Sequence, residues 1–337
     1  MLGFIAMLTF NTIAFAQRRA FFAFAAALSM YLALMVLPAQ SAAEPKVVVT
    51  LKPIHALVAQ VLDGVAVPVL VVDGAASPHT FTLKPSAARA IAEADVFIRV
   101  SENLEPYTSK IVEALPASVT LVTLAESPGM LLLDQRHGGT FEKHEHYSAA
   151  TELHHDDHHD HNAHEAKDGH IWLDTGNAKI MVEAVAKVLK SKYPAHSDRI
   201  ASNTSAVLAK IDVLTTGLAN QLAPLKGRPF IVFHDAYQYF ENRFAMPAAG
   251  SITVSPASQP SAKRLTEVRK KIIELGAACV FAEPGFQPQL VAAVTEGTAA
   301  RAGSLDPEGV LLTPNPDLYF QLMRGLAQSM TSCLSEK

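Results

Sequence analysis

The segment KVVVTLKPIHALVAQVLDGVAVPVLVV, residues 46–72, decides the fold. Lys46 to Leu51 is a β-branched run, and Ile54 to Leu62 follows with apolar residues at helical spacing, closed by Asp63-Gly64. Val67 to Val72 is a second strand of the buried type, ended by the turn from Asp73 to His79. Strand, helix, strand, with the strands apolar throughout, implies a parallel sheet covered on both faces.

Outward from this unit the order repeats. Pro85 to Ala92 reads as a helix with proline in its first turn, feeding a strand from Asp95 to Val100, and Val119 to Leu124 reads as a fourth strand. In the second half, Pro229 to Phe233, Gly250 to Val254 and Ala278 to Ala282 read as strands, with helices over Ala236 to Phe244 and from Pro260 onward. Pro260-Ser261-Ala262-Lys263-Arg264 echoes Pro85-Ser86-Ala87-Ala88-Arg89, and Glu283-Pro284 follows its strand as Glu102 to Pro106 follows another. The shared order implies duplicated lobes.

Between the halves lie two helices. One runs from about Asn177 to Lys190 with Asp174 or Thr175 as N-cap. The other, Pro194 to Leu222, carries Ile200, Val207, Ile211, Leu214 and Leu218 on one stripe. At the usual rise it would be roughly 42 Å long. The expected fold is therefore α/β, with two lobes, each a parallel-rich sheet flanked by helices, joined by a long rigid linker helix. The expected boundaries are 44–193 for the first lobe, with a histidine-rich loop at 137–168, then 194–224 for the linker and 225–337 for the second lobe.

Composition agrees with a globular chain of this kind: 337 residues, 49% hydrophobic and 18% charged, suffice for two lobes. The net charge of -4 gives no basic footprint for nucleic acid. At the N-terminus Arg18-Arg19 precede an apolar run from Ala20 to Pro38 and the small residues Ala39 to Ala43, the pattern of an export signal cleaved near Ala43. An uncleaved anchor is the alternative, the arginine pair is only a weak twin-arginine sign, and the apolar residues Met1 to Ala16 ahead of it are unusual for a signal. In an exported chain Cys279 and Cys333 become a candidate staple; otherwise they read as two buried thiols.

Gly138 to Trp172 carries a different kind of information. Nine of the 14 histidines lie between His137 and His164, interleaved with acids and almost without aliphatic residues, so the stretch builds no core. His144, His146, His154, His155, His158, His159, His161 and His164 can meet first-row transition metals in many combinations, as an adaptable accessory loop and not as one defined site. The bland reading is a solvated low-complexity loop.

Ligands of parallel α/β sheets bind beyond the carboxyl ends of the strands. His79 follows the second strand, His234 ends the Pro229 to Phe233 strand, His170 closes the histidine-rich stretch, and Asp306 follows a turn expected at Gly303. Three imidazoles and a carboxylate would suit zinc. Taken singly, each histidine reads as readily as a hydrogen-bonded core or surface residue.

Five motifs in order sharpen this. Ser77-Pro78-His79, Gly169-His170-Ile171-Trp172-Leu173-Asp174, Phe233-His234-Asp235-Ala236-Tyr237, Phe281-Ala282-Glu283-Pro284 and Ser304-Leu305-Asp306-Pro307 resemble the periplasmic zinc-binding proteins of ABC importers, the ZnuA type of the cluster A-I solute-binding proteins. The resemblance runs from about Lys46 to the C-terminus and includes the histidine-rich insertion. It implies an interlobe cleft that binds Zn²⁺ through His79, His170 and His234, with Asp306 at the carboxylate position of manganese relatives. Pro78 stands where some zinc members carry a glutamate, which leaves Asp306 or water as fourth ligand. The resemblance also implies a disulfide between Cys279 and Cys333, a periplasmic location, a membrane permease as partner, and a monomer without enzymatic activity.

Chemistry supports the metal independently. Three neutral imidazoles suit zinc better than a hard cation, although copper and nickel also favour such donors. Affinity is expected to fall as pH drops through about 6.5, the ordinary histidine value. Two rival readings remain at this point. A zinc hydrolase is one, with Glu283 as base or merely structural, though the sequence holds no His-Glu-x-x-His or Gly-x-Ser-x-Gly motif. The other is a zinc store or adhesin in which the loop is the active part.

Overall fold

A computed structural model describes residues 44–74, 77–136, 141, 166–253, 259–286 and 288–335. The expected signal segment and the accessory histidines His144, His146, His154, His155, His158, His159, His161 and His164 lie outside the described residues. Residues 44–337 form one compact unit.

The opening segment folds as strand β1 (Val47–Val49), helix α1 (Lys52–Val61) and strand β2 (Val69–Leu70). Then follow α2 (Pro85–Ala92), β3 (Val96–Arg99), α3 (Ser109–Glu113) and β4 (Thr120–Thr123). The four strands form one sheet in the order β2-β1-β3-β4, all parallel, with Val48 opposite Val69 and Phe97. β2 is shorter than the apolar run that suggests it. It lies at the sheet edge, where Val67 is 80% exposed and Pro68 has no amide to donate.

Two helices follow, α4 (Thr175–Lys192) and α5 (Ser197–Leu222). Asp174 caps α4, its Oδ1 accepting the amides of Gly176 at 2.5 Å and Asn177 at 3.2 Å. Pro194 to His196 is a 3₁₀ turn rather than the start of α5, so the long helix has 26 residues. Its stripe of Ile200, Val207, Ile211, Leu214 and Leu218 is buried, as its periodicity requires.

The second sheet repeats the first. It uses β5 (Phe230–His234), α6 (Gln238–Phe244), β6 (Gly250–Thr253), α7 (Ala262–Leu275), β7 (Cys279–Ala282), α8 (Pro288–Thr295) and β8 (Arg301–Ser304), with strand order β6-β5-β7-β8, again all parallel. The turn expected at Gly303 is instead part of β8. A Cβ there would come within 2.6 Å of the Phe281 ring, so the glycine answers to close strand packing and not to chain reversal.

Helix α9 (Leu318–Ser335) is not among the expected elements, although its buried residues recur at three- and four-residue intervals. It packs against α1 and α5 and ties the two sheets together. One apolar core accordingly runs from β1 through α4, α5 and α9 to Phe230, Val232 and Phe281. The alternate residues of β5, Ile231 and Phe233, face a second core with Val268, Ile272, Val291 and Val294. Cys279, at the start of β7, is disulfide-bonded to Cys333 of α9.

Residues 306–316 form a strap from β8 back to the first half. Lys52 Nζ donates to the carbonyls of Gly309, Val310 and Leu312 at 3.4, 3.1 and 3.2 Å. Trp172 Nε1 donates to Pro307 O at 2.8 Å, and Gln60 Nε2 to Pro316 O at 2.6 Å. Among the described residues no helix is long and apolar enough to cross a membrane.

Candidate metal centre

His79, His170 and His234 come from three separated parts of the chain and converge. His234 is the last residue of β5, and His170 opens the short turn that leads into α4. His79 lies in the loop after β2. Their nearest ring nitrogens all lie within 4.8 Å of one another. The Nε2 of His170 is 3.3 Å from that of His79 and 3.4 Å from that of His234. A tetrahedral ion with Zn–N bonds of about 2.0–2.1 Å separates its ligand atoms by roughly 3.3–3.4 Å, so these spacings match the edges of such a site.

Hydrogen bonds decide which nitrogen faces inward. His170 Nδ1 donates to Asp168 Oδ1 at 2.7 Å, and His234 Nδ1 donates to Glu283 Oε2 at 2.6 Å. With Nδ1 as the donor, each neutral ring carries its lone pair on Nε2, and the two lone pairs face each other as a pair of donors suited to a metal ion. The supporting carboxylates are as buried as the rings: His170 and Asp168 are each 4% exposed, His234 1% and Glu283 5%. A carboxylate behind an imidazole raises its donor strength and fixes its orientation.

Electrostatics favour the neutral form of His79. Burial, followed by the two neighbouring imidazoles, pushes the His79 pKa down to about 2. His79 is therefore held neutral by its surroundings. Glu308, half-buried, is pushed up to about 8 by desolvation and by Glu283 and Asp306, against the lowering influence of His170.

The surroundings hold the ligands in place from both halves. Asp168 Oδ1 also accepts the His170 amide at 3.0 Å, and its carbonyl accepts the Tyr239 hydroxyl at 2.8 Å. Arg136, just before the histidine-rich stretch, makes ion pairs with Asp235, the neighbour of His234, and with Glu241 of α6. Asp306 does not join the three histidines. Its oxygens accept the amides of Val310 and Leu311 at 2.9 and 3.0 Å.

The family model "Zinc-uptake complex component A periplasmic", ZnuA, matches residues 47–333, a span that includes all three histidines. The chain belongs to the ZnuA family. The ZnuA relative named as the high-affinity zinc uptake system protein of Brucella suis is 45% identical over 307 residues, 86% of this chain and 92% of that one. The ZnuA protein of Yersinia pestis is 32% identical over 296 residues, 87% of this chain and 92% of its own. The periplasmic zinc-binding protein TroA of Treponema pallidum shares the fold, with TM-score 0.70 at 20% identity over 86% of this chain and 99% of that one.

Within the ZnuA frame, Asp168 is the functional residue that sequence reasoning misses. Its signal is Asp-x-His, two residues ahead of a recognised histidine. Glu283 stands out in sequence as a strand-end glutamate, but its partner, His234 on the adjacent strand, emerges only once β5 and β7 pair.

Proposed function

We propose that this chain captures Zn²⁺ through His79, His170 and His234 and delivers it to the membrane permease of a zinc ABC importer. The convergence of three imidazoles, two of them with Nε2 lone pairs oriented by buried carboxylates, carries the reading. Membership of a family of zinc uptake proteins supports the cargo and the role. The protein binds its cargo and does no covalent chemistry on it, a reading that membership of an uptake family supports.

The three histidines leave one position of a four-coordinate ion to a further donor, and Asp306, expected there from sequence, is engaged by the Val310 and Leu311 amides. The protein works in the periplasm after cleavage near Ala43, as a monomer whose segments 44–193 and 225–337 flank the linker 194–224. His144, His146, His154, His155, His158, His159, His161 and His164 act as weaker accessory sites that gather zinc.

Calorimetric zinc titration tests the assignment. The triple variant His79→Ala, His170→Ala, His234→Ala should lose the tight site. Deleting residues 138–165 should keep it and remove only weaker equivalents. Tight binding that survives in the triple variant would overturn the site, and tight binding lost with the loop would favour the storage reading.

A further inference from the structure

Three imidazoles leave a four-coordinate ion one ligand short. The strap after β8 carries two carboxylates nearby, Asp306 and Glu308. Asp306 is already in use. Its Oδ1 accepts the Val310 amide and its Oδ2 the Leu311 amide, closing a turn that Gly309, at φ 71°, completes. Drawing Asp306 onto an ion would release two amides of a strap that Lys52 and Trp172 hold from the other half.

Glu308 is far less committed. Among the described residues its one hydrogen bond is from Ser77 Oγ to Oε1, long at 3.4 Å. Ser77 lies two residues before His79, and its hydroxyl also accepts the His79 amide at 3.4 Å. The Glu308 carboxyl is within electrostatic reach of His170. A cavity of about 190 Å³ gives it room to move, lined by Ser77, Thr80, Glu283, Asp306 and Glu308, and Glu283 is the carboxylate that holds His234.

We propose that Glu308 is the fourth metal ligand, turning from Ser77 onto an ion held by the three histidines, while Asp306 serves the turn. This rests on the zinc-capture reading above. A glutamate side chain has one more rotatable bond than aspartate, so it can reach inward without moving the strap. The exchange gives the ion one anionic donor and frees Ser77, and with it the loop that carries His79, from its link to the strap.

The test uses the full chain, with Zn²⁺ for affinity and Co²⁺ as a spectroscopic probe of the ligand set. Glu308→Gln should weaken zinc by about tenfold or more and alter the visible Co²⁺ spectrum. Asp306→Asn should lower thermal stability but leave the Co²⁺ spectrum as in the parent. An unchanged spectrum and affinity in Glu308→Gln, or a spectrum altered by Asp306→Asn alone, overturns the proposal. The triple histidine variant separates the two levels. If it still binds Co²⁺ tightly, the capture site itself is wrong; if it does not and Glu308→Gln matches the parent, only the fourth ligand is wrong.

Discussion

His234 Nδ1 and Glu283 Oε2 meet at 2.6 Å between neighbouring strands of the second sheet, with neither side chain more than 2% exposed. The pair fixes the tautomer and makes Nε2 a stronger donor. Glu283→Gln preserves shape and removes the charge. Zinc affinity is expected to fall by about 10–100-fold while the circular dichroism stays unchanged. Calorimetry checks it, and an affinity equal to the parent's would deny the carboxylate any part in donor strength.

Gly169 stands between Asp168 and His170, and a Cβ there would lie 2.7 Å from Leu104 Cβ. Gly169→Ala must therefore push the His170 segment or Leu104 aside, at a cost of about 1–3 kcal/mol. Zinc affinity should fall together with the denaturation midpoint. Adding Leu104→Ala should restore affinity by making room, even though it opens a cavity and lowers stability further. Failure of the second change to rescue binding would disconnect this contact from the metal centre.

Glu105 is fully buried, its Oε2 accepting the amides of Val100 at 2.6 Å and Ser101 at 3.1 Å. Desolvation outweighs these bonds and pushes its pKa up from 4.5 to about 7. Below the unfolded value both states hold the proton. Between the two values the folded state keeps a proton that the unfolded chain releases, so stability declines as pH rises and the loss levels off above about 7. The whole effect is on the order of 3 kcal/mol. Glu105→Gln should flatten this slope, making the variant more stable than the parent at pH near 8. Urea unfolding of the metal-free protein across this range measures it.

The Cys279–Cys333 bridge closes a separation of 54 residues. Loop closure on this scale stabilises by about 4 kcal/mol in the chain-entropy treatment. The bridge sits at the start of β7, whereas Glu283 and the metal centre lie beyond the other end of that strand. Cys279→Ala with Cys333→Ala should lower the unfolding midpoint markedly and change zinc affinity little. A large loss of affinity would show that the C-terminal helix supports the centre directly.

Particular residues show where the sequence is informative. The apolar runs around Val48, Ile231 and Val280 announce buried parallel strands, because strands covered on both faces leave no polar alternation. The echo between Pro85 and Pro260 announces a repeated order, which the matching strand orders bear out. His79, His170 and His234 are legible by their places at strand and loop ends. Asp168 is not, and Glu283 is legible as a strand-end glutamate but not as the partner of His234, since support for an imidazole depends on which nitrogen it meets, and that is set by packing. Gly303 misleads because a glycine that yields to a neighbouring ring looks in sequence like one that permits a turn.

Helix α9 packs on α1, and the strap before it supplies carbonyls to Lys52, the first residue of α1. A helix of the first half is thus completed by a segment that follows the second sheet. A chain that has folded only its first sheet leaves part of the apolar side of α1 without cover until α9 docks. Removing α9 should therefore destabilise the first sheet as well as the second, because one apolar core joins them.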